Sequence, residues 1–182
     1  MKTNRKKGFS MIELIVVVAI MGIFTALASI GFDYLKAGNV KSAAKTIDST
    51  LTKLKLDTMS KEAKPYMCLY RDKNDYYIFC TTSDKTETPS ASNGQKIGNG
   101  NVKITINNSK TIAEDEVVYV AFKKGSGAFT EEVKKSSGDI TTVHDGISDS
   151  DAKIMVEKAD GSGTKYTIHM IKDTGKHYIT IN

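Results

Sequence analysis

The hydrophobic pattern changes character at three points along the 182 residues. Residues 1–8 are polar and basic, and residues 9–32 are almost wholly apolar. Residues 33–64 place apolar side chains at three- and four-residue steps, which predicts an amphipathic helix. In residues 65–182, short apolar runs alternate with turns rich in Gly, Asn, Asp and Ser, which predicts strands. The pattern therefore predicts a leader, an apolar helix, an amphipathic helix and a globular β-rich head domain.

The apolar run of residues 9–32 is long enough, at about 1.5 Å per residue as a helix, to cross a bilayer core of about 30 Å. Lysine and arginine flank it only on the N-terminal side, so the positive-inside rule predicts residues 1–8 in the cytoplasm and the head domain outside. An ordinary secretory signal ends in a small-residue cleavage site. Here the small residue, Gly8, precedes the apolar run, so cleavage after Gly8 would leave the membrane helix on the mature chain.

Glu13 is the one charged residue inside the apolar run. A carboxylate within a membrane helix costs on the order of 2.5–3.5 kcal/mol on insertion scales. One interpretation is that Glu13, near the cytoplasmic end, reaches the lipid headgroups. The alternative is that it pairs with the α-amine of Phe9, which cleavage after Gly8 would create, in its own chain or in a neighbouring chain. Pairing between chains would drive assembly.

Residues 6–15, Lys-Lys-Gly-Phe-Ser-Met-Ile-Glu-Leu-Ile, resemble the class III signal of type IV pilins and pseudopilins. The resemblance implies that a prepilin peptidase cuts after Gly8 and methylates the new N-terminus at Phe9. It also implies that Glu13 acts in assembly with other pilin subunits, through their N-terminal helices, at an assembly platform in the membrane. Many major pilins carry a proline where this chain has Ile30, so the resemblance does not imply a proline-weakened helix here.

The amphipathic segment continues the apolar helix, and Pro65 is expected to end this helix near Lys64. Charged residues fall between the apolar positions, so the apolar stripe is expected to cover the core of the head domain and not to form a binding face. The stripe consists of Val40, Ala43, Ala44, Ile47, Leu51, Leu54 and Met59.

Residues 66–70 and 76–80 flank a polar turn and predict a β-hairpin. If the turn centres on Asn74, Cys68 lies opposite Cys80, and a disulfide can form because the head domain is expected outside the cytoplasm. The alternative is two buried thiols. A metal site is not expected there, since no histidine or third cysteine is near.

Further strands are predicted over residues 102–106, 117–122, 128–130, 139–142, 152–157, 166–171 and 177–181. With the helix they predict an α+β fold, in which an antiparallel sheet packs on a long N-terminal helix. Residues 117–129 and 174–179 also resemble the H-type pseudopilins and the FimT-like minor pilins. This second resemblance again implies the pilin fold, and it transfers no binding residue to this chain.

The net charge of +5 is concentrated in residues 1–8, which hold four basic residues and no acid, so composition does not indicate a nucleic-acid-binding protein. Basic residues do gather near the C-terminus, and some FimT-like minor pilins bind DNA through such a region. Acids are interleaved here, so a solvated charged face is favoured over DNA binding. The group comprises Lys165, His169, Lys172, Lys176 and His177, with Asp160 and Asp173 close to them in sequence.

No catalytic motif accompanies the histidines, His144 included, and no glycine motif for binding phosphates or dinucleotides is present. The sequence therefore predicts a protein that is not an enzyme and needs no cofactor. Asp145, Asp149 and Asp151 suggest calcium, but their spacing lacks the glycine and the glutamate of an EF-hand loop. A solvated acidic turn is favoured, and no metal site is expected.

The predicted function is that of a structural subunit of a type IV pilus or a related pseudopilus filament. Before assembly such a subunit is a single-pass membrane protein with its head domain outside, and afterwards it is part of an extracellular filament. Two alternatives stay open. One is a minor pseudopilin of a type II secretion or DNA-uptake machine, and the other is a membrane-anchored extracellular binding domain.

Overall fold

The computed structural model describes residues 10–62, 64–82, 89–107, 110–114, 116–130, 132–134, 140–142 and 152–182. The predicted leader, residues 1–8, lies outside them. The described residues form one long helix followed by strands. The elements are α1 (Met11–Ser60), β1 (Pro65–Asp72), β2 (Asp75–Thr82), β3 (Gln95–Gly98), β4 (Val102–Ile106), β5 (Lys110–Thr111), β6 (Val117–Ala121), β7 (Glu132–Lys134), β8 (Ile140–Thr142), β9 (Ala152–Lys158), β10 (Tyr166–Ile171) and β11 (Lys176–Ile181).

The chain divides into two compact units, residues 1–35 and residues 36–182. In the second unit the apolar stripe of α1 is buried as predicted from Val40 to Leu54, with exposed fractions of 3% or less. The prediction is wrong for Met59, which is 52% exposed. Thr58 takes the next position of the stripe and is 1% exposed. Its hydroxyl donates to the Leu54 carbonyl at 2.8 Å, which satisfies the polar group that burial would otherwise leave unpaired.

Helix α1 ends at Ser60, earlier than the predicted end near Lys64. One more backbone bond runs from Lys61 N–H to the Asp57 carbonyl at 2.9 Å, and Lys61 Nζ lies 3.0 Å from Asp57 Oδ2. Pro65 is the first residue of β1. Because a proline disfavours helical backbone at the residue before it, the chain leaves the helix some residues ahead of Pro65.

The strands form two antiparallel sheets and a separate pair. Sheet A has the order β3-β2-β1-β6, sheet B has the order β11-β10-β9-β4-β5, and β7 pairs with β8. The core of the second unit lies between these elements and the buried stripe of α1, and its largest fully buried side chains include Phe129, Ile47 and Leu51. The predicted α+β fold is confirmed, since a long N-terminal helix is followed by antiparallel sheets, consistent with the pilin fold.

The short strands differ from the prediction. Residues 128–130 form no strand, and Phe129 makes only a single bridge with Phe122. β3, β5 and β7 were not predicted, because strands of four, two and three residues are too short for the alternation of apolar and polar residues to be visible.

The predicted pairing of Cys68 with Cys80 is wrong by one residue. The turn between β1 and β2 contains only Lys73 and Asn74, with Lys73 at a φ of 56°, so Cys68 pairs with Phe79 and Met67 pairs with Cys80. Successive strand residues point to opposite faces, so the two cysteine side chains leave opposite faces of sheet A. Cys68 is buried, Cys80 is exposed, and neither forms a disulfide within the described residues.

Candidate functional site

Glu13, the charged residue of the apolar run, lies in the first turn of α1. Its Oε2 accepts a hydrogen bond from the backbone N–H of Ser10 at 3.3 Å, and the Leu14 N–H donates to the Ser10 carbonyl at 3.2 Å. Ser10 is therefore the N-cap residue, and Glu13 holds the third helical position, as in a capping box. A carboxylate at this position also interacts favourably with the positive end of the helix dipole.

This bond directs the Glu13 carboxylate toward the N-terminal end of the helix. The N–H that it binds belongs to Ser10, the first residue that the structure describes. Gly8 and Phe9 lie outside the described residues, and their roles in cleavage and methylation stay predictions. The cap was missed from the sequence, although Ser-x-x-Glu at the start of an apolar run is its known signal.

The side chains of α1 from Met11 to Leu27 give the helix an apolar surface on every side. Their exposed fractions run from 43% at Val17 to 85% at Met11. A helix that is apolar all round is normally surrounded by lipid or by other protein. The large apolar side chains are Met11, Ile12, Leu14, Ile15, Val16, Val17, Val18, Ile20, Met21, Ile23, Phe24 and Leu27.

Among the residues that the structure describes, no helix combines the length and the hydropathy that a membrane span requires.

Residues 3–29 match the family model of the prokaryotic N-terminal methylation motif. The match includes Gly8, Phe9 and Glu13 and covers only the start of the chain. The motif is a prepilin-type signal, which implies membrane insertion, processing by a prepilin peptidase and assembly with other pilin subunits. It supports a type IV pilin-like protein. No curated protein and no solved structure is significantly similar to the chain.

Glu157 is a buried carboxylate that no sequence motif marks. It is 4% exposed, and its two oxygens lie 3.5 Å from Lys103 Nζ and 2.8 Å from Lys165 Nζ. Burial acts to raise the pKa of Glu157, but the hydrogen bond and charge of Lys165, joined by those of Lys103, outweigh burial and hold this pKa below its usual value. Glu157, Lys103 and Lys165 connect β9, β4 and the residue before β10, so we assign this cluster a structural role. The charge of Lys165 is therefore paired within the fold and does not add to the C-terminal basic group.

The described histidines also make contacts within the second unit. His177 Nε2 lies 3.0 Å from Thr52 Oγ1 of α1, and His169 Nε2 lies 2.9 Å from Thr180 Oγ1. These contacts agree with a structural role for the C-terminal region, while DNA binding stays an untested alternative. The three aspartates considered for calcium lie outside the described residues, within which no group of His, Cys, Asp or Glu is arranged to hold a metal ion.

Proposed function

We propose that the chain is a structural subunit of a type IV pilus or of a related pseudopilus filament. The observation that carries this proposal is the apolar surface of α1, with Glu13 at its start, inside the matched methylation motif. Apolar side chains on every side of a helix need a surrounding other than water. A membrane supplies that surrounding before assembly, and the helices of neighbouring subunits supply it in the filament.

Glu13 links processing to assembly in this proposal. A prepilin peptidase cuts after Gly8, and the new α-amine of Phe9 becomes a cation four residues from Glu13 in sequence. In a medium of low dielectric, pairing neutralises both charges, whereas an unpaired carboxylate is costly. Pairing with the Phe9 amine of a neighbouring subunit would set the register between helices, and apolar contact between the helices would hold the filament together.

Substitution of Glu13 separates helix capping from charge pairing. Glu13→Gln keeps an oxygen that can accept the Ser10 N–H bond but removes the charge, and Glu13→Ala removes both. We expect both variants to be inserted and cut, with mass spectrometry finding a methylated Phe9 terminus. We expect both to be depleted from sheared filaments at least about tenfold, because an uncompensated buried amine costs more than one lost hydrogen bond.

The exposed head-domain substitution Lys124→Ala is the control for expression and shearing. Normal filament yield with Glu13→Gln would refute the charge pairing between Glu13 and Phe9. The remaining role of Glu13 would then be to cap the N-terminus of α1. A mature wild-type chain that keeps Met1 would contradict the filament proposal as a whole. That outcome would favour a membrane-anchored binding domain.

The abundance of the chain in sheared surface filaments distinguishes a major pilin from a minor pseudopilin. A main component of sheared surface filaments is a major pilin. A chain found there only in traces, whose deletion stops protein secretion or DNA uptake, is a minor pseudopilin.

A further inference from the structure

Sheet A has an edge that is only half covered. β2 pairs with β1 along its whole length, from Pro65↔Thr82 to Asp72↔Asp75. On its other side β3 reaches only Tyr76 to Ile78, and the last pair is Ile78 with Gln95. No described strand pairs with Phe79–Thr82 on that side. Among the residues that the structure describes, the outward backbone groups of these four residues therefore form an open strand edge.

The chain leaves this edge because of a turn just before β3. The N–H groups of Asn93 and Gly94 donate to the Ser90 carbonyl at 3.1 Å and 2.9 Å. Tyr70 Oη donates to the same carbonyl at 2.6 Å, which draws the turn onto β1. A Cβ at Gly94 would collide with the Tyr70 hydroxyl, so the close approach requires glycine. β3 is thus stopped at Gln95 by specific contacts.

A groove of about 760 Å³ lies along the open edge. Five consecutive residues of β2, 78–82, line it. Side chains alternate between the two faces of a strand, so these five residues include both faces of β2. The lining also includes Gln95 at the start of β3 and Pro65 at the start of β1, so the groove extends from the open edge to that end of β1. Its opposite wall belongs to α1 and carries the hydroxyls of Thr46, Ser49 and Thr50 and the side chain of Lys53.

The α1 wall of the groove carries the charged side chains of Lys53 and Asp57. On the α1 wall, Asp57 pairs with Lys61 at 3.0 Å, whereas no ion pair involves Lys53 among the described residues. An occupant with a carboxylate opposite Lys53 would supply the ion pair that this side chain lacks among the described residues.

We propose that this groove binds an extended segment of another polypeptide, which adds to sheet A as a strand along Phe79–Thr82 and directs an acidic side chain at Lys53. An extended chain offers N–H and C=O groups at the spacing of a strand edge, as in other cases of strand addition. Four residues of such a strand cover about 13 Å, at about 3.3 Å per residue. The acidic side chain of the added strand would pair with the ammonium of Lys53. This inference does not depend on the filament function.

Cys80 provides a reporter within the groove. Its thiol lies on the α1 side of β2, where Lys53 and Asp57 both act on it electrostatically. Desolvation raises the pKa of this thiol, so exchange is slow and is measured at equilibrium. The probe is the disulfide-linked dimer of acetyl-Val-Glu-Val-Cys-amide, whose Glu and Cys share one face of an extended strand. The Cys80 thiolate attacks this disulfide, forms a mixed disulfide and releases one peptide thiol.

The experiment uses the full chain in detergent and a fixed excess of mercaptoethanol. The control peptide has the same sequence with its two valine nitrogens methylated, which prevents strand pairing. We expect the control to label Cys80 about tenfold less, for the loss of about two hydrogen bonds. Replacing Glu by Lys in the peptide is expected to reduce labelling about threefold, an effect that Lys53→Gln should abolish. Cys80→Ser should abolish labelling altogether.

Equal labelling by the plain and methylated peptides, or labelling by neither, would overturn the proposal. Hydrogen exchange of the free full chain is the second measurement. Alternate amides of Phe79–Thr82 face β1 and should be protected, and the others should exchange quickly. Protection of all four would show that another part of this chain, or a second copy, already covers the edge, which would also overturn the proposal.

Discussion

Gly175, in the turn between β10 and β11, is held on several sides at once. Its φ is +59°, and a Cβ there would collide with the Gly127 carbonyl oxygen. The Gly175 N–H donates to the Ile171 carbonyl at 2.9 Å, and its own carbonyl accepts from Lys55 Nζ at 3.2 Å. The turn therefore fastens sheet B to α1 at a point where no side chain fits.

Gly175→Ala is expected to lower the free energy of unfolding by at least about 2 kcal/mol, since it combines left-handed backbone strain with a steric collision. Gly161→Ala is the matched control, because its φ is +75° but no atom lies within 4 Å of its Cβ position. Backbone strain alone should lower the free energy of unfolding of Gly161→Ala by about 1 kcal/mol. Urea unfolding of both full-length variants measures the difference. An equal loss at the two sites would argue against the collision.

At the scale of elements, long periodic segments were predictable and short or register-dependent features were not. The 3.6-residue period of α1 and the apolar alternation of β10 persist over enough residues to define these elements. Register depends on turn length, and a two-residue turn in place of one centred on Asn74 moved Cys80 to the other face from Cys68. Glu13 was identifiable as a charge in an apolar run. The half-covered edge of β2 was not, because contacts between Tyr70 and Ser90, distant in sequence, create it.

The buried stripe of α1 should dominate the stability of the second unit. Ile47 is 0% exposed, and Ile47→Ala is expected to cost about 2–5 kcal/mol through lost burial and a new cavity. Leu56, on the same helix but 63% exposed, is the matched control, and Leu56→Ala should change stability by no more than about 0.5 kcal/mol. Thermal unfolding followed by circular dichroism compares them. Similar losses would contradict the assignment of the stripe to the core.

At the scale of the whole molecule, buried charge makes stability depend on pH. Glu157, between Lys103 and Lys165, ties three neighbouring strand ends of sheet B together. Its pKa in the folded state lies below the unfolded value of about 4.3. The unfolded chain therefore takes up this proton first as the pH falls. The stabilisation from Glu157 is fully present above about pH 4.3 and is lost as the pH falls through the folded pKa.

Glu157→Gln should consequently flatten the decline of unfolding free energy below about pH 5, because the glutamine binds no proton in either state. Some slope should persist, since hydrogen bonds from Ser162 also lower the pKa of Asp160 in the folded chain. Glu157→Gln combined with Asp160→Asn should flatten the decline of unfolding free energy further. Urea unfolding at a series of pH values from neutral to acidic measures these slopes. If the wild type and Glu157→Gln lose stability in parallel on acidification, the two lysines do not stabilise the Glu157 carboxylate in the folded state.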